Sequence, residues 1–424
     1  MNRCIDFFVC YVSVYDTSMA DSKNISIKGV LPLDLMSEKS RFRDSGFILV
    51  VVSHALNHAY EAIMPVLYPF FISEFGLQYS AVGLLVMAYR LTSGAFQLVM
   101  GFMGRFYRRK VLLGVGMIWQ AVTNAFMGFA PGFTQILSSR SLAGIGSSPQ
   151  HPTGSAYIAE TFDSKQLGRA LGINIGAASL GRFMAPLVAS FLLPIIGWRN
   201  TLFAFSILGI LVGVGFLIIH EDRRPSNWSG ASSIKGLAMG VRKIFRSRIV
   251  VIVMVVETVM AFRIGVSDFL PTYFTDSLGM SSVSSGLFFT LFLLAGMPAP
   301  YIWGILSDRL ERRIVVMLAM GAAAVLWFLL PLVNDSTLLL PLLLVLGFVG
   351  QGVGGVIQAF VAEVTESENR DIIFGVYFTL AFTIGSISPF IFGLLADSYG
   401  FQSAFFYVST VSVFAVAASY YLKE

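Results

Sequence analysis

Twelve long apolar runs set the terms for this chain. They fall near residues 46–73, 80–104, 110–130, 133–160, 166–194, 198–220, 248–276, 281–307, 312–333, 337–364, 370–396 and 401–422. Each has about the 20 residues that an α-helix needs to cross a bilayer. In hydrocarbon every backbone N–H and C=O must find a partner inside the protein, so runs of this length predict spanning helices. Charge agrees: Asp, Glu, Lys and Arg make up 12% of the chain and hydrophobic residues 56%, whereas about a quarter of a soluble domain is charged. A chain so poor in charge cannot cover itself with a water-facing surface. The expected fold is an all-α polytopic membrane protein of twelve transmembrane helices.

The longest interruption, 221–247, carries Arg223, Arg224, Lys235, Arg242, Lys243 and Arg246. It reads as a cytoplasmic linker between two six-helix bundles, 46–220 and 248–424. One set of short loops holds Arg105, Arg108, Arg109 and Lys110, then Lys165 and Arg169, then Arg309, Arg312 and Arg313; the other set holds only Arg199. The positive-inside rule then puts both termini in the cytoplasm of a cell-membrane protein. Basic residues spread over loops in this way are no argument for nucleic acid, despite the net charge of +5. Residues 1–45 stand apart. The apolar stretch 7–15 is too short to span, and residues 16–45 are polar and mixed in charge. Either 1–45 is a cytoplasmic tail or translation starts at Met36. Cys4 and Cys10 offer neither metal spacing nor a disulfide framework.

A shift of 203 residues lays the chain on itself without a gap. Gly76 falls on Gly279, Gly83 on Gly286, Gly101 on Gly304 and Gly144 on Gly347. Ala159-Glu160 falls on Ala362-Glu363, Gly172 on Gly375, Pro186 on Pro389 and Gly197 on Gly400. Chance matches of glycine do not keep one offset across six spans. Parallel six-span repeats are the pattern of alternating-access transporters, with substrate held between the halves near the midplane.

Particular residues strengthen that pattern. Gly304-Ile-Leu-Ser-Asp308-Arg309-Leu-Glu-Arg312-Arg313, between spans 8 and 9, resembles the loop signature of the major facilitator superfamily. Arg140, Gly144 and Gly146 have the spacing of its fourth-helix motif, and Gly176, Gly181 and Pro186 lie near its fifth-helix Gly-Pro element. Ser53-His-Ala-Leu-Asn57-His-Ala-Tyr-Glu-Ala-Ile-Met-Pro65 and Gly144-Ile-Gly-Ser-Ser-Pro-Gln-His151-Pro152 resemble helices 1 and 4 of fosmidomycin-resistance-type members. The resemblance implies two six-helix pseudo-repeats, and it makes Arg105, Asp308, Arg309 and Arg312 gating-loop residues. Arg105 stands where the signature has an acid, which leaves Asp308 as the only acid of that pair.

Ionisable side chains at membrane depth are costly, about 2.5–3.5 kcal/mol on insertion scales, so each is a candidate for function. Span 1 carries His54, His58 and Glu61 within about 60° of one another on the helix. One reading makes Glu61 a proton carrier with His54 and His58 tuning it. The other makes the trio a buried polar network that pins helix packing. Arg90, Arg140 and Arg182 have Leu293, Leu343 and Gly385 at the +203 positions, so the first half bears the polar load. Arginine's planar fork suits carboxylate or phosphonate groups, which nominates Arg90, Arg140, Arg182 and His151 for an anionic substrate. The bland reading is a web of internal salt bridges. Pro149 and Pro152 predict a kink beside His151. Glu257, Arg263 and Asp268 in span 7 do not share one face.

Gly350-Gln-Gly352-Val-Gly-Gly355 matches a dinucleotide fingerprint without the strand that such a fingerprint requires. It reads as close helix packing, as do Gly172/Gly176 and Gly209/Gly213. No metal cluster, cofactor motif or nucleophile constellation stands out, and no Walker sequence points to ATP. The expectation is a monomeric, proton-coupled exporter of small anionic or zwitterionic compounds, not an enzyme. The alternatives are an importer of an organic or phosphorylated acid and a non-transporting receptor that senses substrate.

Overall fold

The computed structural model describes residues 42–104, 106–218, 247–333, 335–365 and 370–422, and these contain helices and turns but no strand. The tail and Met36-start readings before residue 42, Arg105, and the linker's basic residues lie outside the described residues.

Among the described residues, nine helical stretches are long and apolar enough to cross a membrane. Two of them, Gln166–Ile218 and Val376–Ser419, hold 53 and 44 residues, too many for single crossings at about 1.5 Å per residue. Each breaks at a glycine, Gly197 (φ 74°, ψ 168°) and Gly400 (φ 81°, ψ 167°). A side chain at positive φ would strain the backbone, so glycine is what permits the break. The crossing missing from the nine is the pair Phe133–Ser147 and Gln150–Thr161. Its Arg140, Gln150, His151 and Glu160 dilute the hydropathy of span 4. The described helices are thus consistent with the twelve crossings expected from the apolar runs.

The repeat is visible in geometry. Gly76 and Gly279 both adopt left-handed φ, 62° and 65°, just as Gly197 and Gly400 do. Arg109 grips Glu160 through two hydrogen bonds, and at the shifted positions Arg312 grips Glu363 in the same way. Span 4 stops at Ser147 and resumes at Gln150, where Pro149 predicts a kink. Span 10 stops at Gly350 and resumes at Val353, around Gly352 at φ 89°. Spans 1 and 7 form the other interrupted pair. Span 1 breaks between Ala62 and Met64, and span 7 breaks between Ala261 and Leu270 through the short turn Val266–Phe269.

Glycines bring the halves together. A Cβ on Gly83 in span 2 would sit 2.3 Å from the carbonyl oxygen of Pro389 in span 11. On Gly286 in span 8, its repeat partner, a Cβ would sit 1.9 Å from Ser190 Oγ in span 5. Nearby, Asp397 accepts hydrogen bonds from the backbone N–H groups of Tyr79 (2.7 Å) and Ser80 (2.9 Å), and the Tyr79 hydroxyl donates to Asp276 (3.1 Å). These cross-half ties lie at the end of the bundle that carries the turns at Gly76 and Gly400. Within the first half, Gly209 packs on Tyr60 and Gly213 on Ile118, as expected of a packing seam. Gly172 and Gly176 do not form one: a Cβ at either would meet nothing within 4 Å. Exposed Leu98, Leu211, Val413 and Phe414 face outward, where hydrocarbon suits them better than water.

Candidate functional site

The interrupted helices surround a cavity of about 520 Å³ lined by both halves. Its first-half wall is polar, with His58, Glu61, Tyr89, Arg90, His151 and Arg182. The opposite wall is mixed: Phe289, Phe292, Leu293, Met297, Trp327 and Phe382 are apolar, while Glu257, Arg263 and Asp268 add charged groups. Breaks in spans 1, 4, 7 and 10 frame this space. Backbone freed from helical pairing at membrane depth is tolerated where it lines a cavity, and discontinuous helices recur around binding sites near the midplane of membrane proteins.

Glu61 lies one residue before the break in span 1 and is the hub of the polar wall. Arg90 Nη2 donates to its Oε1 at 2.9 Å, while His58 Nδ1 and Arg182 Nη2 lie 3.3 Å and 3.7 Å from Oε2. Arg182 Nη2 also approaches His58 Nδ1 at 2.9 Å. Span 1 is held in register for this by Asn57, whose side-chain oxygen accepts from Gln120 of span 3 (3.0 Å) and Ser147 of span 4 (2.9 Å). Four of the residues nominated from sequence thus converge: Glu61, His58, Arg90 and Arg182. His151, on the resumed half of span 4, joins them with its ring centroid 5.5 Å from that of His58. His54 sits behind both, 6% exposed.

Arg140 is placed differently from its sequence reading. It is 2% exposed, does not line the cavity, and stacks its guanidinium 4.1 Å from the ring centroid of Tyr89, which does line it. Its Nε and Nη1 have no hydrogen-bond partner among the described residues. Arg140 therefore reaches the cavity through Tyr89 rather than directly. Of the loop residues, Arg312 is engaged with Glu363 of its own half, and Asp308 and Arg309 are exposed.

Sequence reasoning missed three features. Asp268 comes within 3.9 Å of Arg90, so Arg90 stands between an acid of each half. The three-residue spacing from Gly265 to Asp268 carries no hint of that meeting, which depends on how span 7 packs on span 2. Glu257 is buried and accepts a hydrogen bond from Tyr377 at 2.7 Å, beside a second cavity of about 180 Å³. The third is the role of the glycines at 350–355. Gly350, Gly352 and Gly354 line the main cavity at the break in span 10, and a Cβ at Gly350, Gly354 or Gly355 would meet nothing within 4 Å. They form a helix break, not the packing seam expected. Only Gly352 makes a close approach, 2.5 Å from Pro300 N for an added Cβ.

Residues 49–353 and 259–424 match the sequence profile of the Major Facilitator Superfamily. The chain is 23% identical over 393 residues to a "Probable L-galactonate transporter" of Escherichia coli K12, covering 84% of each chain. It is also 23% identical over 361 residues to the "Fosmidomycin resistance protein" of the same organism, covering 82% of this chain and 85% of that one. In fold it resembles a bacterial homolog of the human lysosomal transporter Spinster, solved in an inward-facing and occupied conformation. The TM-score is 0.76 at 14% identity, covering 89% of this chain and 96% of the other.

Proposed function

This chain belongs to the Major Facilitator Superfamily, and on that premise we propose that it is a secondary active carrier that moves a small organic anion together with protons. The observation that carries this reading is the shared grip on Glu61. Arg90 and Arg182 hold its carboxylate at 2.9 Å and 3.7 Å, and both line the cavity. A substrate carboxylate or phosphonate needs the same guanidinium forks. Glu61 and the substrate anion therefore compete for one pair of cations. Protonating Glu61 releases the arginines, so proton and anion bind together, which is the logic of symport. A carboxyl group that exchanges its arginine partners for a substrate anion can take up and release a proton as the cavity alternates between wet and dry.

The basic loops favour cytoplasmic termini, and on that orientation the end tied by Tyr79, Asp276 and Asp397 faces outward. Two rigid halves, 46–220 and 248–424, rock about the site. Asp268 beside Arg90 serves as a cross-half contact that parts when the outer end opens. Arg199, the lone basic residue of an outer loop, is paired there with Glu74.

Uptake of an organic acid is the direction that this competition supports, in keeping with the L-galactonate relative. A second reading is proton-driven export of a zwitterionic compound, favoured by the fosmidomycin-resistance relative. In it a substrate ammonium group rests on Glu61, and proton and substrate exclude each other. Sealed vesicles with an imposed pH gradient separate the two. Symport accumulates an organic anion on the alkaline side, while antiport accumulates its substrate on the acidic side. No gradient-driven flux of any organic anion or zwitterion would refute the carrier reading.

A further inference from the structure

Three of the chain's four histidines meet in one place. His54 and His58 are four residues apart on span 1, the spacing that puts two imidazoles on one helix face. His151 reaches them from the resumed half of span 4. Ring centroids are separated by 5.0 Å (His54–His58), 5.2 Å (His54–His151) and 5.5 Å (His58–His151). One nitrogen from each ring lies within 4.8 Å of the other two.

The hydrogen bonds around the cluster prepare it for a ligand. His54 Nδ1 lies 3.0 Å from the carbonyl oxygen of Asn174, which can only accept. Nδ1 therefore carries the proton, and Nε2 presents a lone pair. That Nε2 is buried, on a side chain only 6% exposed, and has no hydrogen-bond partner among the described residues. An imidazole anchored through Nδ1–H to a backbone carbonyl, with a free Nε2, is the arrangement found behind metal-bound histidines. His58 has the carboxylate form of the same support, with Glu61 Oε2 at 3.3 Å from its Nδ1.

We propose that His54, His58 and His151 form a binding site for a divalent first-row transition metal ion, Zn²⁺ being the natural fit to three imidazoles. Ligand bonds of about 2.0–2.1 Å in a tetrahedral site would bring the nitrogens to about 3.4 Å from one another. Small side-chain rotations close the remaining gap. The fourth position faces the cavity, where water or an oxygen of a bound anion completes the shell. Thiolates and a carboxylate cage are lacking among the three ligands, so the site selects against Ca²⁺ and Mg²⁺, which require oxygen donors.

Arg182 is the internal competitor. Its Nη2, which can only donate, is 2.9 Å from His58 Nδ1 and calls for a lone pair there, whereas Glu61 calls for a proton. Metal binding through His58 Nε2 puts the proton on Nδ1. That turns His58 toward Glu61 and moves Arg182 onto the same carboxylate, 3.7 Å away. The ion's charge also repels Arg182, whose side chain is 42% exposed and free to swing into the cavity.

The test is binding of Zn²⁺ to the purified full-length protein by equilibrium dialysis and elemental analysis, with Co²⁺ as a spectroscopic probe. It needs neither substrate nor transport, so its outcome is separate from the fate of the symport reading. One Zn²⁺ per chain and an intense visible Co²⁺ spectrum are expected. His151→Gln and His54→Gln, which keep volume and polarity, weaken binding at least about 100-fold, because loss of an outer-shell partner alone costs 10–100-fold. His220→Ala combined with Cys4→Ser and Cys10→Ser leaves the stoichiometry unchanged. Arg182→Gln tightens binding. Lack of saturable binding, or equal binding after all three histidines are replaced in a protein that still elutes as a folded species, means adventitious metal only and overturns the proposal. Unchanged or weaker binding in Arg182→Gln overturns the competition assigned to that arginine.

Discussion

The two walls of the cavity come from one repeated design but carry different side chains at matching positions. At positions related by the 203-residue shift, His58 faces Ala261, Glu61 faces Ile264, Arg90 faces Leu293, His151 faces Gly354 and Arg182 faces Gly385. Spans 1 and 7 and spans 4 and 10 are interrupted at matching places, whereas the breaks in span 8 after Gly296 and in span 11 after Gly385 have no counterpart in spans 2 and 5. What differs is what the breaks present. In the first half they expose a carboxylate held by two arginines; in the second the span 10 break exposes glycines, while the span 7 break carries Arg263 and Asp268, the latter 3.9 Å from Arg90. On the proposed reading, the breaks in spans 1, 4, 7 and 10 serve alternation in both copies, while most of the anion-recognition and coupling groups lie in the first. On the proposed reading, the arginines of the first half hold the anion, and the aromatic side chains of the second half accommodate its variable part.

Copying the second half's residue into the first breaks that division most severely. Arg90→Leu, which imitates Leu293, strips Glu61 of its nearest partner and Asp268 of its cross-half contact. Removing one member of a buried ion pair costs about 3–5 kcal/mol. Gradient-driven uptake in vesicles should fall by at least about two orders of magnitude, with the protein still monodisperse on size exclusion. Near-normal uptake would show that the charged wall is scaffold.

The next effect compares the two glycine contacts. A Cβ at Gly83 meets backbone, the Pro389 carbonyl at 2.3 Å and Phe390 Cα at 2.7 Å, and cannot be relieved by rotating a side chain. At Gly286 it meets Ser190, whose Oγ at 1.9 Å can turn away but whose Cβ at 2.9 Å is fixed by the backbone, so relief is partial. Gly83→Ala should hold the outer end open, seen as faster maleimide labelling of a cysteine placed at Ser267. Gly286→Ala should change labelling much less. Equal effects would contradict the close approach assigned to spans 2 and 11.

Smallest is the difference between the matched loop pairs. Arg109–Glu160 has side chains 15% and 22% exposed, whereas Glu363 in the Arg312 pair is 50% exposed. Exposed pairs are worth about 0–1 kcal/mol. Glu363→Gln should shift thermal stability barely, and Glu160→Gln should shift it further. The reverse order would argue against reading these contacts by burial.

Much of the architecture is legible from residues alone because the forces that build it are local or periodic. Apolar length predicts the crossings, Pro149 predicts the break in span 4, and a constant offset predicts the repeat. The His58–Glu61 stripe follows from helical spacing. What escapes depends on packing between spans. Nothing in the spacing of Arg140 places it behind Tyr89, and nothing in span 7 announces that Asp268 meets Arg90. His151 joins His54 and His58 only because the break in span 4 aims its second half at span 1. The glycines at 350–355 mislead for the same reason: small residues serve packing seams and helix breaks alike, and only the left-handed φ of Gly352 separates them.

The competition between Glu61 and the substrate is tested most directly by Glu61→Gln, which keeps the shape of the protonated acid and frees both arginines. Substrate affinity of the native protein should rise as pH falls, because protonation of Glu61 releases Arg90 and Arg182. In the variant, affinity should be high and flat with pH, exchange across the membrane should persist, and gradient-driven accumulation should be lost, since exchange needs no net proton movement. Retained accumulation, or a variant whose affinity still follows pH as the native protein's does, would contradict the assignment of Glu61 as the coupling group.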